Sequence, residues 1–318
     1  MNSNLFKHIK RVNATLFASL LAITLTTSCN SNQSGKAEDV MSQENYLKAL
    51  SQYDKVEKFH EGLAIVCKDN KFGMIDTDAE EVIPCEYNKL YPCSEGIIKF
   101  RSFDNPLYGF IDKNNKKITE AIYTDARNFH EGMAVVANAD ADGSTFYGFI
   151  DKEGEEIIPR MYEKAGSFNS GLAPVKNDGY WGYVDKMGVI IIPIEFDDAK
   201  EFGCGVACVV KDNTPKVIDE KGSTVFTLKE GLKFLARNFS EGIIPVGKEV
   251  DDDLICGYID TEGKEVIPFN YELATNFHDG KAYVMKNEEV YSIDHKGTII
   301  EKIEDPKIIK RVLKPVLF

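Results

Sequence analysis

The chain has 318 residues, of which 43% are hydrophobic and 28% charged, with 24 Gly, 11 Pro and a formal net charge of -13. This is globular composition, which excludes wholesale disorder, collagen and a multi-pass membrane protein. The negative charge argues against nucleic acid or an anionic membrane surface as a partner, because both repel it.

The first segment reads as an address. Lys7, Lys10 and Arg11 precede a mostly apolar run from Ala14 to Leu25, with no acid before Ser28. A basic stretch followed by an apolar core and small residues is the pattern of a secretory signal. The run is too short to span a bilayer, which needs roughly 20 residues. Thr26-Thr27-Ser28-Cys29 comes next, with Leu25 just upstream. This resembles a bacterial lipobox, although Thr26 stands where the usual Leu would be. The resemblance implies that Cys29 becomes the diacylated first residue of the mature protein. The alternative is a plain cleaved signal with an incidental Cys. Removing the first 28 residues and their three positive charges leaves 290 residues at about -16.

Residues 29–44 are polar and acidic without apolar period, as expected of a flexible tether. Lys36-Ala37-Glu38-Asp39 loosely resembles the acidic motifs that send some lipoproteins to the outer face. In Ser42 to Gln52, Tyr46, Leu47 and Leu50 fall at helical spacing and Ser42 suits an N-cap. The expectation is a short helix that covers the first repeat unit.

From about residue 53 to 300 the chain is one unit repeated. Ile/Val-Asp recurs at Asp76, Asp112, Asp151, Asp185, Asp219, Asp260 and Asp294, a period of about 36 residues. A Gly after an acidic or small residue runs in phase at Gly62, Gly96, Gly132, Gly171, Gly205, Gly242 and Gly280. Ile-Pro at Pro84, Pro159, Pro193 and Pro268 is followed by Tyr87, Tyr162, Phe196 and Tyr271. The fourth copy predicts strands over 171–175, 181–184 and 189–193, with Asn177-Asp178-Gly179 and Asp185 to Gly188 as turns. Each unit is thus an antiparallel meander, too small for its own core, so neighbours must stack.

Trp181-Gly182-Tyr183-Val184-Asp185 and its echoes at Phe72-Gly73, Tyr108-Gly109, Tyr147-Gly148 and Cys256-Gly257 resemble the WG-repeat family, also called KWG repeats. Pro215-Lys216 and Val290-Tyr291 depart from the pair. The resemblance implies an all-β fold of tandem repeats, often on secreted or surface proteins, without fixing an activity. Seven three-stranded repeats fit either a propeller-like ring or an open β-solenoid. The first unit starts with Tyr53 and Phe59 but no Ile-Pro strand, and the last stops at Ile300. Those ends are complementary, which favours the ring. The basic, apolar tail Pro306 to Phe318 is expected to cap the array, a membrane-surface segment being the alternative. The domain plan is therefore a signal (1–28), a tether (29–44) and a repeat domain (45–318).

Few residues offer chemistry. His60, His130 and His278 share one position of the repeat, as expected of exposed turn residues. The repeated Asp suits a hairpin corner, and calcium would need several oxygens at one point. Asp251-Asp252-Asp253 reads as a solvated loop tip. Cys67, Cys85, Cys93, Cys204, Cys208 and Cys256 are expected as free thiols, with a Cys85–Cys93 bridge as an alternative. No nucleophile elbow, phosphate loop, dinucleotide fingerprint or HExxH pair occurs. We expect no catalytic residues, no metal and no cofactor. Tyr180 and Trp181 are the adjacent aromatics to test as a ligand platform. The functional expectation is a non-catalytic binding or scaffold protein, lipid-anchored through Cys29 on the bacterial outer membrane at its periplasmic or surface face. Its partner would be an unknown protein or glycan, with no nucleic acid. The rival is a glycan-active hydrolase, or a glycan-binding accessory, with its site in the funnel of the array.

Overall fold

The computed structural model describes residues 41–251 and 253–313. The signal segment, Cys29, residues 30–40 of the tether, Asp252 and residues 314–318 lie outside the described residues. Seven four-stranded antiparallel sheets succeed one another, each a meander in chain order. The fourth sheet, for example, holds Lys164–Ala165, Ala173–Asn177, Tyr180–Val184 and Ile190–Phe196. The repeat pattern predicts only three strands per unit. The extra strand comes from the residues after the Ile-Pro segment. Instead of leading outward, they open the next sheet, at five of six junctions after a single residue. Tyr87 thus ends the first sheet, and Lys89–Leu90 pairs with Phe100 and Arg101 of the second.

Local chemistry sets each hairpin. All seven repeated aspartates use one carboxylate oxygen to accept two backbone N–H groups, two and four residues on. This closes the turn between third and fourth strands. The turn between first and second strands places two successive residues in the left-handed region, as at Glu95 (φ 54°) and Gly96 (φ 84°). That is the geometry of a type I′ hairpin, whose twist matches its strands.

The Gly of the aromatic-Gly pair has a different role. A Cβ on Gly148 would lie 2.4 Å from the Ile158 carbonyl oxygen, and one on Gly182 2.7 Å from that of Ile192. The fourth strand crosses this close because its pairing slips twice around the Pro, as between Trp181, Tyr183 and Val184. Where Lys216 or Tyr291 replaces the Gly, the fourth strand shrinks to Thr224–Thr227 or Ile299–Lys302 and slips once. The fourth strands end each sheet, and the Ile-Pro residues there are an edge-strand device, since Pro lacks the N–H a further strand would need.

The core is divided into six inter-sheet layers, each built from two neighbouring sheets. Aromatic pairs recur in phase within them. Phe110–Phe129, Phe149–Phe168, Tyr183–Phe202 and Tyr258–Phe277 have ring centroids 4.9–5.3 Å apart. Three of them are edge-on and Phe149–Phe168 is tilted; aromatic pairs of this kind add about 0.5–1.5 kcal/mol each beyond their buried area.

Both ends are covered by helices. Helix α1 (Gln43–Gln52) is N-capped by Ser42, whose hydroxyl accepts the Asn45 N–H at 3.1 Å. Ala49 and Tyr53 pack with Ala64, Val66 and Ile75 of the first sheet. Helical spacing points to Tyr46, Leu47 and Leu50 for this face, yet all three are exposed, Leu47 by 59%. The covering stripe is Met41, Asn45, Ala49 and Tyr53, whose small Ala lets the helix approach closely and whose Asn45 amide donates to the Thr77 carbonyl. At the other end, Ile308, Ile309 and Val312 of helix α2 (Pro306–Leu313) cover Leu273, Met285 and Val290 of the seventh sheet, as expected of a cap. The first and seventh sheets also each hold four strands of their own, so the termini do not complete a shared sheet. The complementarity that favours strand-closed ends is met by this regular four-strand phase and by two caps.

Candidate functional site

The row of sheets curves, and the curve brings distant repeats together at its inner rim. Glu201 follows the first strand of the fifth sheet. Its carboxylate meets Arg127 of the third repeat at 3.3 Å and Arg237 of the sixth at 3.4 Å. Its side chain is only 17% exposed. The intervening fourth repeat has Gly166 where its neighbours carry Arg127 and Lys200. A Cβ there would sit 2.9 Å from the Glu201 carboxylate, so the glycine leaves the path open. First-strand segments therefore line the inside of the curve.

Next to Arg127 the rim becomes aromatic and basic. Lys89 and Arg101 are direct cross-strand partners in the second sheet, and Lys99 lies two residues from Arg101 on the same face. The Lys99 ammonium donates to the Ala126 carbonyl at 2.6 Å and sits 4.3 Å from the Tyr91 ring centroid and 5.2 Å from that of Tyr108. Lys89 lies over Tyr91 and Arg101 over Tyr108. Burial lowers the Lys99 pKa to about 8, against the pull of nearby Asp125, with Lys89 and Arg127 adding repulsion. Among the described residues no carboxylate forms an ion pair with Lys89, Lys99 or Arg101. The fourth sheet repeats part of this pattern, with Lys164 opposite Lys176 and Lys176 opposite Trp181.

A second array runs along the first hairpins. The Glu61 carboxylate accepts the N–H groups of Glu95 and Gly96, and Glu95 accepts those of Glu131 and Gly132. Glu131 and Glu241 continue it to Gly171 and Gly280, and the Cys204 sulfur accepts from Gly242. Lys113, Lys152 and Lys186 reach back to the same carboxylates, and His295 takes that place beside Glu241 at 2.8 Å. Burial opposes the charge on Glu61 and Glu95, but the accepted N–H groups outweigh it and hold both pKa values below the usual carboxylate range. These carboxylates act as inter-repeat clamps.

The residues singled out from sequence are scattered. Trp181 is half-buried against the core between the fourth and fifth sheets, whereas Tyr180 is 51% exposed at the hairpin end. As neighbours in a strand they project to opposite faces and form no shared platform. Cys29 lies outside the described residues. His60, His130 and His278 are exposed and border the first hairpin turn of the first, third and seventh sheets, His60 as the last residue of its strand. His295 is instead stacked on Phe277, 4.3 Å between centroids. Asp251 and Asp253 are exposed at a hairpin tip. All six described cysteines are free, including Cys85 and Cys93. Burial pushes the thiol pKa values of Cys93 and Cys208 up to about 12, which makes them poor nucleophiles. Sequence reasoning missed Lys99 and Glu201. The available signal for Lys99 was a lysine at a strand position held elsewhere by Ile65, Val135, Pro174, Cys208, Pro245 and Tyr283.

Stacked four-stranded meanders with an aromatic-Gly pair define a β-repeat protein. The sequence profile described as WG containing repeat matches residues 50–72, 72–102, 108–139, 147–181, 181–214 and 257–289, more than half of the chain. The chain belongs to the WG containing repeat family. The unmatched stretch from 215 to 256 begins at Pro215-Lys216, where the pair is lost. No curated protein matches the sequence. Among solved structures, the chain is similar to an uncharacterized protein from Listeria monocytogenes EGD-e, at 9% identity and TM-score 0.49, covering 80% of this chain and 95% of that one. It is also similar to Kluyveromyces lactis Hsv2, at 11% identity and TM-score 0.46, covering 79% of this chain and all of that one. A Pyrococcus horikoshii acylaminoacyl peptidase aligns at 13% identity and TM-score 0.43, over 86% of this chain and 56% of that one.

Proposed function

We propose that this protein is a non-catalytic binding or scaffold protein, held on the bacterial outer membrane by lipid on Cys29, whose curved repeat array presents the contact surface. The observation that carries the binding reading is the inner rim of the second repeat. Lys89, Lys99 and Arg101 crowd one face of one sheet in a chain of net charge -13. Like charges opposite each other destabilise a sheet, and buried ammonium groups are costly without a charged partner. A cost of this kind without a packing return is characteristic of a surface kept for contact with something else.

Two measurements test the two halves. Labelled palmitate should attach to the native chain and be lost in Cys29→Ala, and persistence of the label would sink the anchor. Crosslinked capture from native envelope, with the lipidated chain as bait, should retain a partner that Arg101→Gln with Lys89→Gln loses. Equal capture by that double variant would count against the rim.

A further inference from the structure

We propose that the face formed by Lys89, Tyr91, Lys99, Arg101 and Tyr108 binds a glycan whose sugars carry carboxylates. The inference rests on the binding reading above and specifies its ligand.

Lys99 is the informative residue. The other six repeats place an apolar, aromatic, Pro or Cys side chain at its position. An apolar residue would fill the layer between second and third sheets without desolvating an ammonium, so packing does not require a lysine. The ammonium is nevertheless held in place, by the Ala126 carbonyl and the faces of Tyr91 and Tyr108. Ordering it in this way lowers the entropy lost when an anion arrives. Lys89 and Arg101 flank it on the same face, each fixed over a tyrosine ring. The acid that bears on Lys99 is Asp125, whose carboxylate also accepts from the Tyr147 hydroxyl at 3.4 Å.

The ligand class follows from the groups present. Three cations without ion-pair partners among the described residues match carboxylates. The tyrosines bring hydroxyls and amphipathic edges to the same surface, which suits a ligand rich in hydroxyl groups. A partial recurrence at Lys164, Lys176 and Trp181 in the fourth sheet, with Pro174 in place of the lysine, suits a ligand that carries more than one charge. An acidic peptide fits less well. A peptide that docked by strand addition would need an open edge, and the short first strand here, Lys89–Leu90, is already paired with the second.

The test titrates the full chain, in detergent, with oligogalacturonate, chondroitin oligomers and oligosialic acid. A neutral cello-oligomer and a poly-glutamate peptide serve as controls. At least one acidic glycan should bind, more weakly as salt rises, and Lys99→Met should lose at least tenfold in affinity while keeping its thermal midpoint. Affinity should also fall as pH rises past about 8, where Lys99 gives up its proton. Should Lys99→Met misfold, Lys89→Gln with Arg101→Gln on the exposed side of the cluster gives the same readout. Binding by none of the acidic glycans, equal binding by the neutral oligomer or by poly-glutamate, or unaltered affinity in folded variants would overturn the proposal. Any of these would leave the palmitate label and envelope capture as they were, so the two readings fail separately.

Discussion

The glycine of the aromatic-Gly pair is the residue on which each repeat turns. The aromatic ring draws attention in sequence, yet Trp occurs once and Phe72, Tyr108, Tyr147 and Cys256 take its place elsewhere. The glycine tolerates no such variety where the fourth strand keeps both slips, because the neighbouring backbone occupies the space of a Cβ. Gly148→Ala would put a methyl 2.4 Å from the Ile158 carbonyl oxygen and 2.7 Å from the Arg160 nitrogen. Overpacking against backbone costs about 1–3 kcal/mol. Urea denaturation should therefore show a loss in that range for Gly148→Ala, while Gly143→Ala, at a φ of 87° but with no atom in reach, should report only the strain of its backbone.

At the scale of the element, the first hairpin shows how a local cost is met by a long-range return. Glu61, Glu95, Glu131 and Glu241 all occupy the left-handed region, where Asn, Asp or Gly is the usual choice. Each accepts its hydrogen bonds from the next repeat, so the turn is strained for the sake of the junction. The consequence is a pH dependence of known sign. Glu61 and Glu95 titrate below the usual carboxylate range in the folded chain. The unfolded chain thus takes up their protons first. Their stabilisation is fully present above the unfolded carboxylate pKa and is lost as pH falls through the lower, folded values. Glu61→Gln with Glu95→Gln should flatten the stability profile below about pH 4.5, the ordinary value of a glutamate. Acid titrations followed by tryptophan fluorescence would read this through Trp181, and an unchanged slope would show that the clamps do not couple repeats.

At the scale of the molecule, stability is shared among six layers and two caps. A row of repeats needs its outer faces covered to remain soluble. Deleting residues 42–53 would remove α1 and Tyr53 and expose the fully buried Ala64, Val66 and Ile75. We expect that variant to aggregate or to unfold at a lower temperature, whereas Leu47→Ser on the exposed side of α1 should do neither. Curvature has its own anchor. Glu201 ties the third, fifth and sixth repeats, and Glu201→Leu would leave Arg127 and Arg237 facing each other without a carboxylate. Small-angle scattering should then report a larger radius of gyration with unchanged β content. An unaltered radius would place the origin of the curve in the inter-sheet layers alone.

The sequence by itself determined the number of units, their phase and the structural role of the repeated aspartates. These depend on residues within a few positions of one another, where turn chemistry and strand alternation are local and recur seven times. The same periodicity hid the first strand of most sheets, because a two-residue strand such as Lys89–Leu90 has too few residues to alternate. Only the tertiary structure decided what lies on which end face, since a helix and a neighbouring sheet present the same apolar demand. It also decided that Tyr180 and Trp181 diverge, and that Arg127, Glu201 and Arg237 converge. Those outcomes depend on the angle between successive sheets, a small rotation set by packing and summed over the array, and no single repeat encodes the sum.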